Sequence, residues 1–151
     1  MEINKQSTTE NQYVIFKLAD ESYGVDINHV KLIEKPTVFT RVPNAPEYVK
    51  GVINLRGEVI TVLDLRNRFN LDKMEDESSS RIIILNYDEF VIGFYVDASS
   101  EVLEIDKEAI DNPPSTTNNE KENFIYGVGK NEGRLILLLD IEKVLGLHDK
   151  N

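Results

Sequence analysis

The sequence predicts a mainly β fold: two five-stranded β-barrel subdomains packed on a shared core, with short helices. Three observations carry that reading: short β-rich runs broken by turn residues, an internal repeat, and the length. At 151 residues the chain suits one domain, or two small units that share apolar surface.

The elements follow in order. Residues 13–18 (YVIFKL) read as a strand, residues 19–22 as a turn, and Tyr23-Gly24-Val25 as the returning strand. Asp26 is placed to cap a single turn carrying Ile27 and Val30, with Ile33 continuing the same side. Pro36, Pro43 and Pro46 bracket an extended segment, 37–42, and forbid a long helix there. Residues 48–54 and 59–63 flank a turn. Asp64 then caps a short helix, 65–71, with Leu65 and Phe69 four apart on its buried side. Residues 72–80 (DKMEDESSS) are polar, acidic and serine-rich, and read as a linker. The second half resumes with strands at 81–85 and 91–96 around a turn at 86–89. Residues 111–123 form a long polar loop, the most flexible part expected within the fold.

The repeat is the most informative feature. Residues 48–71 (YVKGVINLRGEVITVLDLRNRFNL) align without a gap on residues 124–147 (FIYGVGKNEGRLILLLDIEKVLGL). Gly51 meets Gly127, Gly57 meets Gly133, and Asp64 meets Asp140. The upstream segments echo each other more loosely, with Gly24 against Gly93 and Val30 against Val102 if a short insertion is allowed. The organisation expected is a disordered tail at 1–11 and a single domain at 12–151. Its subdomains span about 12–76 and 81–147, with the linker at 72–80 and room for strand exchange between them. A unit of that size is marginal alone, so the two should share a core and leave a groove where they meet. Glycines kept in both copies are explained by structure: close backbone approach at Gly51, a positive-φ turn at Gly57. Between them the copies differ. The first has Asn54-Leu55-Arg56 where the second has the all-polar Lys130-Asn131-Glu132. Leu55 either folds back over the barrel end or is offered to a partner.

Composition narrows the function. Lys and Arg number 17 against 27 Asp and Glu, a formal net charge of −10. That disfavours nucleic acid, whose affinity comes from neutralising phosphates with Lys and Arg. Solubility is the simplest account of the excess, and an acidic docking face the alternative. The absence of cysteine excludes a disulfide frame, a thiolate metal site and a thiol nucleophile, and fits a reducing, cytoplasmic compartment. Apolar runs such as 135–139 are far shorter than the roughly twenty residues that span a bilayer, so no membrane insertion is expected. No enzyme chemistry is expected either. His29 and His148 lack any ligand spacing, and Gly127-Val128-Gly129 lacks the third glycine of a nucleotide loop. Glu75, Asp76 and Glu77 and serines 78–80 sit in the linker. No metal or cofactor is implied.

Four segments together resemble the CheW chemotaxis coupling protein family. They are Tyr23-Gly24-Val25-Asp26-Ile27, Arg41-Val42-Pro43-Asn44-Ala45-Pro46, Lys50-Gly51-Val52-Ile53-Asn54-Leu55-Arg56-Gly57 and Asp64-Leu65-Arg66. The resemblance covers about residues 12–147. It departs at Thr61, where the family often has proline, and at Ala98-Ser99-Ser100, where it is usually more apolar. The resemblance implies SH3-like barrels and an adaptor, monomeric in isolation, that couples the cytoplasmic tips of methyl-accepting chemoreceptors to the histidine kinase CheA. It places the receptor contact in the groove between barrels, at Val30, Gly51, Asn54, Leu55, Arg56 and Val102. No motif assigns a kinase-binding surface, although the kinase's regulatory domain shares the fold. A helical receptor hairpin would lie on an apolar floor of Val30, Val102 and Leu55, with Arg56 meeting a carboxylate or carbonyl. For Val30 and Val102 the competing role is plain core, for Asn54 turn capping, and for Arg56 a solvated turn position. The polar start and the finish soon after Leu147 fit a complete adaptor, not a kinase fragment or a receiver-bearing relative.

Overall fold

A computed structural model of the chain describes residues 10–113 and 124–146. Most of the tail expected at 1–11 and of the loop expected at 111–123 therefore lies outside the described residues. The strands are β1 (Gln12–Leu18), β2 (Glu21–Asp26), β3 (Val30–Glu34), β4 (Val49–Leu55), β5 (Glu58–Asp64), β6 (Arg81–Tyr87), β7 (Phe90–Val96), β8 (Ala98–Glu104), β9 (Ile110–Asp111), β10 (Ile125–Asn131) and β11 (Arg134–Leu139). Helix α1 is Leu65–Arg68 and helix α2 is Ile141–Leu145. Helix α1 is shorter than the sequence suggests, because Phe69 already leaves helical geometry as the C-cap.

The strands form two sheets. One, unit A, runs β8-β1-β2-β11-β10-β9; the other, unit B, runs β3-β6-β7-β5-β4. Each draws on both halves of the chain. The β1–β2 hairpin joins strands of the second half, and the β6–β7 hairpin joins strands of the first. Copy for copy, the sheets have the same order. Parallel pairing of β11 with β2 in unit A is matched by β5 with β7 in unit B.

The repeated sequence produces repeated local physics. A bulge falls between Val49 and Gly51 in β4 and between Ile125 and Gly127 in β10. The Asp64 amide donates to the Tyr48 carbonyl at 2.7 Å, and the Asp140 amide to the Phe124 carbonyl at 2.7 Å. The same two carboxylates cap their helices, accepting from the amides of Asn67 at 3.3 Å and Lys143 at 3.2 Å. In the looser upstream repeat, Gly24 pairs with Ile15 and Gly93 with Ile84. A methyl group on either glycine would press on branched side chains, 3.1 Å from Ile136 or 2.8 Å from Ile82. The register beyond them differs from the sequence alignment. Val102 pairs with Val14, and its counterpart in unit B is Ile33, which pairs with Ile83; Val30 is not the counterpart. Bulges between Val30 and Leu32 and between Ile15 and Phe16 shift the strands and hide this from an ungapped reading.

Burial explains why residues 13–16 of β1 and 82–85 of β6 are unbroken apolar runs. Successive side chains point to opposite faces, and both faces are covered. Ile82 and Ile84 fill the interior of unit B with Leu32, Ile53, Ile60, Val62 and Tyr95. Ile83 and Leu85 face the other way, into a core shared with Val14, Phe16 and Leu18 of β1. Tyr13 and Ile15 fill unit A with Ile105, Ile136 and Leu138. Each aliphatic side chain fully buried in this way contributes about 1.5–3 kcal/mol.

The chain crosses between units at two short points. Asp26 caps the first, a single 3-10 turn at Ile27–His29, by accepting from the Asn28 amide at 2.9 Å. The second is Asp97, between β7 and β8. Its carboxylate accepts from the Ala19 amide at 2.8 Å and from Arg66 Nε at 2.8 Å, so the β1–β2 turn, α1 and the crossover are held together. The 72–80 connector is irregular but attached. Met74 packs against the unit B interior, the Ser80 hydroxyl donates to the Glu77 carbonyl at 2.7 Å, and the Tyr95 hydroxyl donates to the Glu77 carboxylate. Asp76 accepts from the Ser78 amide, which lowers its pKa below the usual carboxylate value without burial. The segment expected to be extended at 37–42 meets the sheet through one bridge, Thr40 to Val52.

That bridge explains Gly51. Its φ is 151°, and a Cβ there would stand 2.6 Å from the Thr40 carbonyl oxygen, whereas Gly57 at φ 84° has open space around it. Gly51→Ala should therefore cost about 3 kcal/mol or more, and Gly57→Ala about 1 kcal/mol. Urea unfolding of both variants checks the difference, and equal costs would remove the close-approach explanation. Tyr95 supplies a pH test. Burial first, then its hydrogen bond to Glu77, pushes its hydroxyl from 10.0 up to about 12. Because the folded value lies above the unfolded one, this contribution is complete below pH 10 and lost as pH rises through 12. Stability should fall across that window, and Tyr95→Phe should flatten that part of the stability–pH curve, followed with phenolate absorbance.

Candidate docking groove

The β4–β5 hairpin turns through Arg56 and Gly57, at φ 54° and 84°, the positive-φ pair of a type I′ turn. The equivalent Glu132 and Gly133 lie at 48° and 83°, so this conformation belongs to the scaffold. Asn54 closes the turn, its side-chain oxygen accepting from the Gly57 amide at 3.1 Å. Leu55 is half-buried and packs against the unit B interior, which favours the folded-back alternative. Arg56 is exposed at the tip.

The surface beside this tip carries residues that the sequence reading missed. Val59 is directly opposite Asn54, and Phe90 directly opposite Tyr87. The parallel register Thr61–Ile92, continued by two residues, sets Val59 beside Phe90. Asn54, Val59, Phe90 and Tyr87 thus form one row on the face of unit B that, further along, enters the shared core through Leu85 and Phe94. Val59 is 66% and Phe90 45% exposed. The unit A positions equivalent to Phe90 and Val59 are Glu21 and Leu135, so the apolar pair is confined to unit B.

Val102 lies on edge strand β8 of unit A, opposite the core residue Val14, and is 41% exposed. Val30 is 1% exposed and belongs to the shared core, so it offers no surface to a partner. Of the six residues expected in the contact, Asn54, Leu55 and Arg56 come together at one hairpin end. Gly51 lies lower in the same strand, and Val102 stands on the other unit.

Beyond Tyr87 the boundary between units opens into a cleft of about 270 Å³ lined by Asp26, His29, Tyr87, Tyr126, Asp140 and Glu142. His29, expected to be solvated, is half-buried with its ring 5.4 Å from Tyr87. Burial, and then the carboxylates of Glu142, Asp88 and Asp140, raise the Tyr87 hydroxyl pKa. Tyr126 is likewise raised, by burial first and then by its hydrogen bond with Tyr13.

Two small barrels with exchanged hairpins, a shared core and an exposed apolar strip at one end of unit B define a docking module. The CheW-like domain model matches residues 12–148, and the chain belongs to that family of chemotaxis scaffold proteins. The chain is 35% identical to the Helicobacter pylori chemotaxis protein CheW over 144 residues, covering 94% of this chain and 87% of that protein. It is 35% identical to the Bacillus subtilis chemotaxis protein CheW, covering 91% and 88% respectively. The crystal structure of the scaffolding protein TtCheW from Thermoanaerobacter tengcongensis superposes with a TM-score of 0.84 at 36% identity, covering 93% of this chain and 95% of that one. Among the described residues no helix is long and apolar enough to cross a membrane.

The turn itself can be tested. Asparagine accommodates positive φ better than arginine, so Arg56→Asn should hold or raise stability by about 0.5–1 kcal/mol. A fall of similar size in urea unfolding would mean that the guanidinium holds the hairpin together.

Proposed function

We propose that the chain couples the cytoplasmic tips of methyl-accepting chemoreceptors to the regulatory domain of the histidine kinase CheA, and does so by binding alone. The observation that carries the reading is the asymmetry of the two hairpin ends. Both copies build the same turn and follow it with an exposed apolar residue, Val59 or Leu135, but only unit B adds Leu55, Arg56 and Phe90. The equivalents of those three in unit A are Asn131, Glu132 and Glu21.

A helical receptor hairpin would lay its apolar side over Val59 and Phe90, with Arg56 meeting a carboxylate or a helix C-terminal carbonyl. Burying an exposed valine or phenylalanine contributes about 1.5–3 kcal/mol, enough for a few such side chains to anchor a modest interface. Val102 extends the apolar surface on unit A. Bound receptor then alters kinase output by favouring one kinase state over another through differential contacts. In this reading the adaptor works in the cytoplasm, reaches the membrane through its partners, is monomeric alone and performs no chemistry.

Co-sedimentation with receptor cytoplasmic fragments and the kinase provides the test. Arg56→Asp should abolish receptor-dependent sedimentation without lowering the melting temperature. Glu132→Arg, at the equivalent turn, should leave both unchanged. If Arg56→Asp sedimented as the unaltered protein does, the hairpin end would not be the receptor contact.

A further inference from the structure

Arg68, at the end of α1, makes contacts that none of the sequence motifs anticipates. Its guanidinium carbon lies 4.5 Å from the ring centre of Tyr48 and 4.7 Å from that of Phe124. Those two rings are repeat equivalents, one leading into β4 of unit B and the other into β10 of unit A. The same guanidinium donates from Nε to the Val144 carbonyl at 2.9 Å, with Nη2 3.4 Å from the Lys143 carbonyl. Both carbonyls belong to the last turn of α2, where the Gly146 amide serves Glu142 and Lys143 and leaves the Val144 oxygen for Arg68. A cation at that end also meets the partial negative charge of the helix terminus.

Val144 is the repeat equivalent of Arg68. The side chain therefore reaches from one unit to the other and binds the backbone at its own counterpart. Its reciprocal is absent by residue type, because Val144 is aliphatic and fully buried. Arg68 also ends an aromatic series. Phe124 stacks on Phe69 at 4.9 Å, Phe69 meets Tyr23 at 5.7 Å, and Tyr23 stacks on Phe16 at 5.6 Å. Phe69, the C-cap of α1, lies between Phe124 and Tyr23 of unit A, so the series crosses the junction.

We infer that Arg68 is a positioning residue that fixes how the two units sit against each other, and through that the width of the docking groove. A cation between two rings resists sliding in either direction, and a planar fork on helix carbonyls resists rotation. Helix α1 follows directly from β5, whose other end carries Val59, while α2 follows β11 of unit A. Movement between the helices is thereby transmitted to the separation between the unit B hairpin end and unit A. The inference rests on the docking reading above only where it concerns the groove; the positioning role stands on the contacts themselves.

The experiment measures position and docking separately. The chain has no cysteine, so Glu89→Cys on unit B and Glu104→Cys on unit A give two clean labelling sites. Spin-label distances between them are compared for the labelled parent, Arg68→Met and Arg68→Lys, well below each melting temperature. Methionine keeps the stem and removes the charge and donors; lysine keeps the charge between the rings but loses the fork. The expected result for Arg68→Met is a cooperative fold, a broadened distance distribution and about tenfold weaker binding to a receptor cytoplasmic fragment, with Arg68→Lys intermediate. Should Arg68→Met not fold, Arg68→Lys carries the same two measurements. A lower melting temperature with an unchanged distance distribution would overturn the inference and leave Arg68 a stability contact. A broadened distribution with unchanged affinity would support positioning and overturn the groove as the receptor site.

Discussion

The structure depends on the shared apolar layer between the sheets. Neither sheet could form from one half of the chain, because each needs a hairpin supplied by the other half. The exchanged hairpins put Val14, Phe16 and Leu18 against Ile83, Leu85 and Phe94, so the inner faces of both sheets are buried by one another. Two units too small to be secure alone thus become one cooperative body. The crossovers at Ile27–His29 and Asp97 are short because the units are already in contact where the chain passes between them.

Duplication supplies an internal control seldom available in a single chain. Where both copies keep a feature, the scaffold accounts for it: the capping aspartates, the bulges, the positive-φ turns and the close-packed glycines. Where they diverge at equivalent positions, the difference is free to serve binding. Glu21 against Phe90 and Glu132 against Arg56 are such differences, and both fall at the same end of unit B. Arg68 against Val144 is another, at the junction itself.

Much of this was legible in the sequence, and the limits have physical causes. The capped helices, the glycine roles and the equivalence of 48–71 with 124–147 followed from local chemistry, which depends on near neighbours. The hairpin exchange left only a trace, since a strand's pattern records that it is buried but not which sheet buries it. Val30 is apolar in a short β run, and that pattern fits a groove floor as well as a core. Val59 and Phe90 were missed for the converse reason: apolar residues at strand starts look like ordinary core until the sheet shows its neighbour ending short of them. The nearest signal was the contrast of Phe90 with Glu21, hidden by the looseness of the upstream repeat. Arg68 had no signal, because its partners are two rings and two main-chain carbonyls, all distant in sequence.

The order of strands along the chain sets an order of assembly during synthesis. All five strands of unit B are complete once Val96 has been made, whereas unit A waits for Leu139. The β1–β2 hairpin, made before every strand of unit B, therefore waits for most of its own sheet. Its unpaired edges and the apolar faces of Val14, Ile15 and Phe16 stay uncovered while most of the chain is translated. Chaperone demand in the cell should be concentrated on that hairpin.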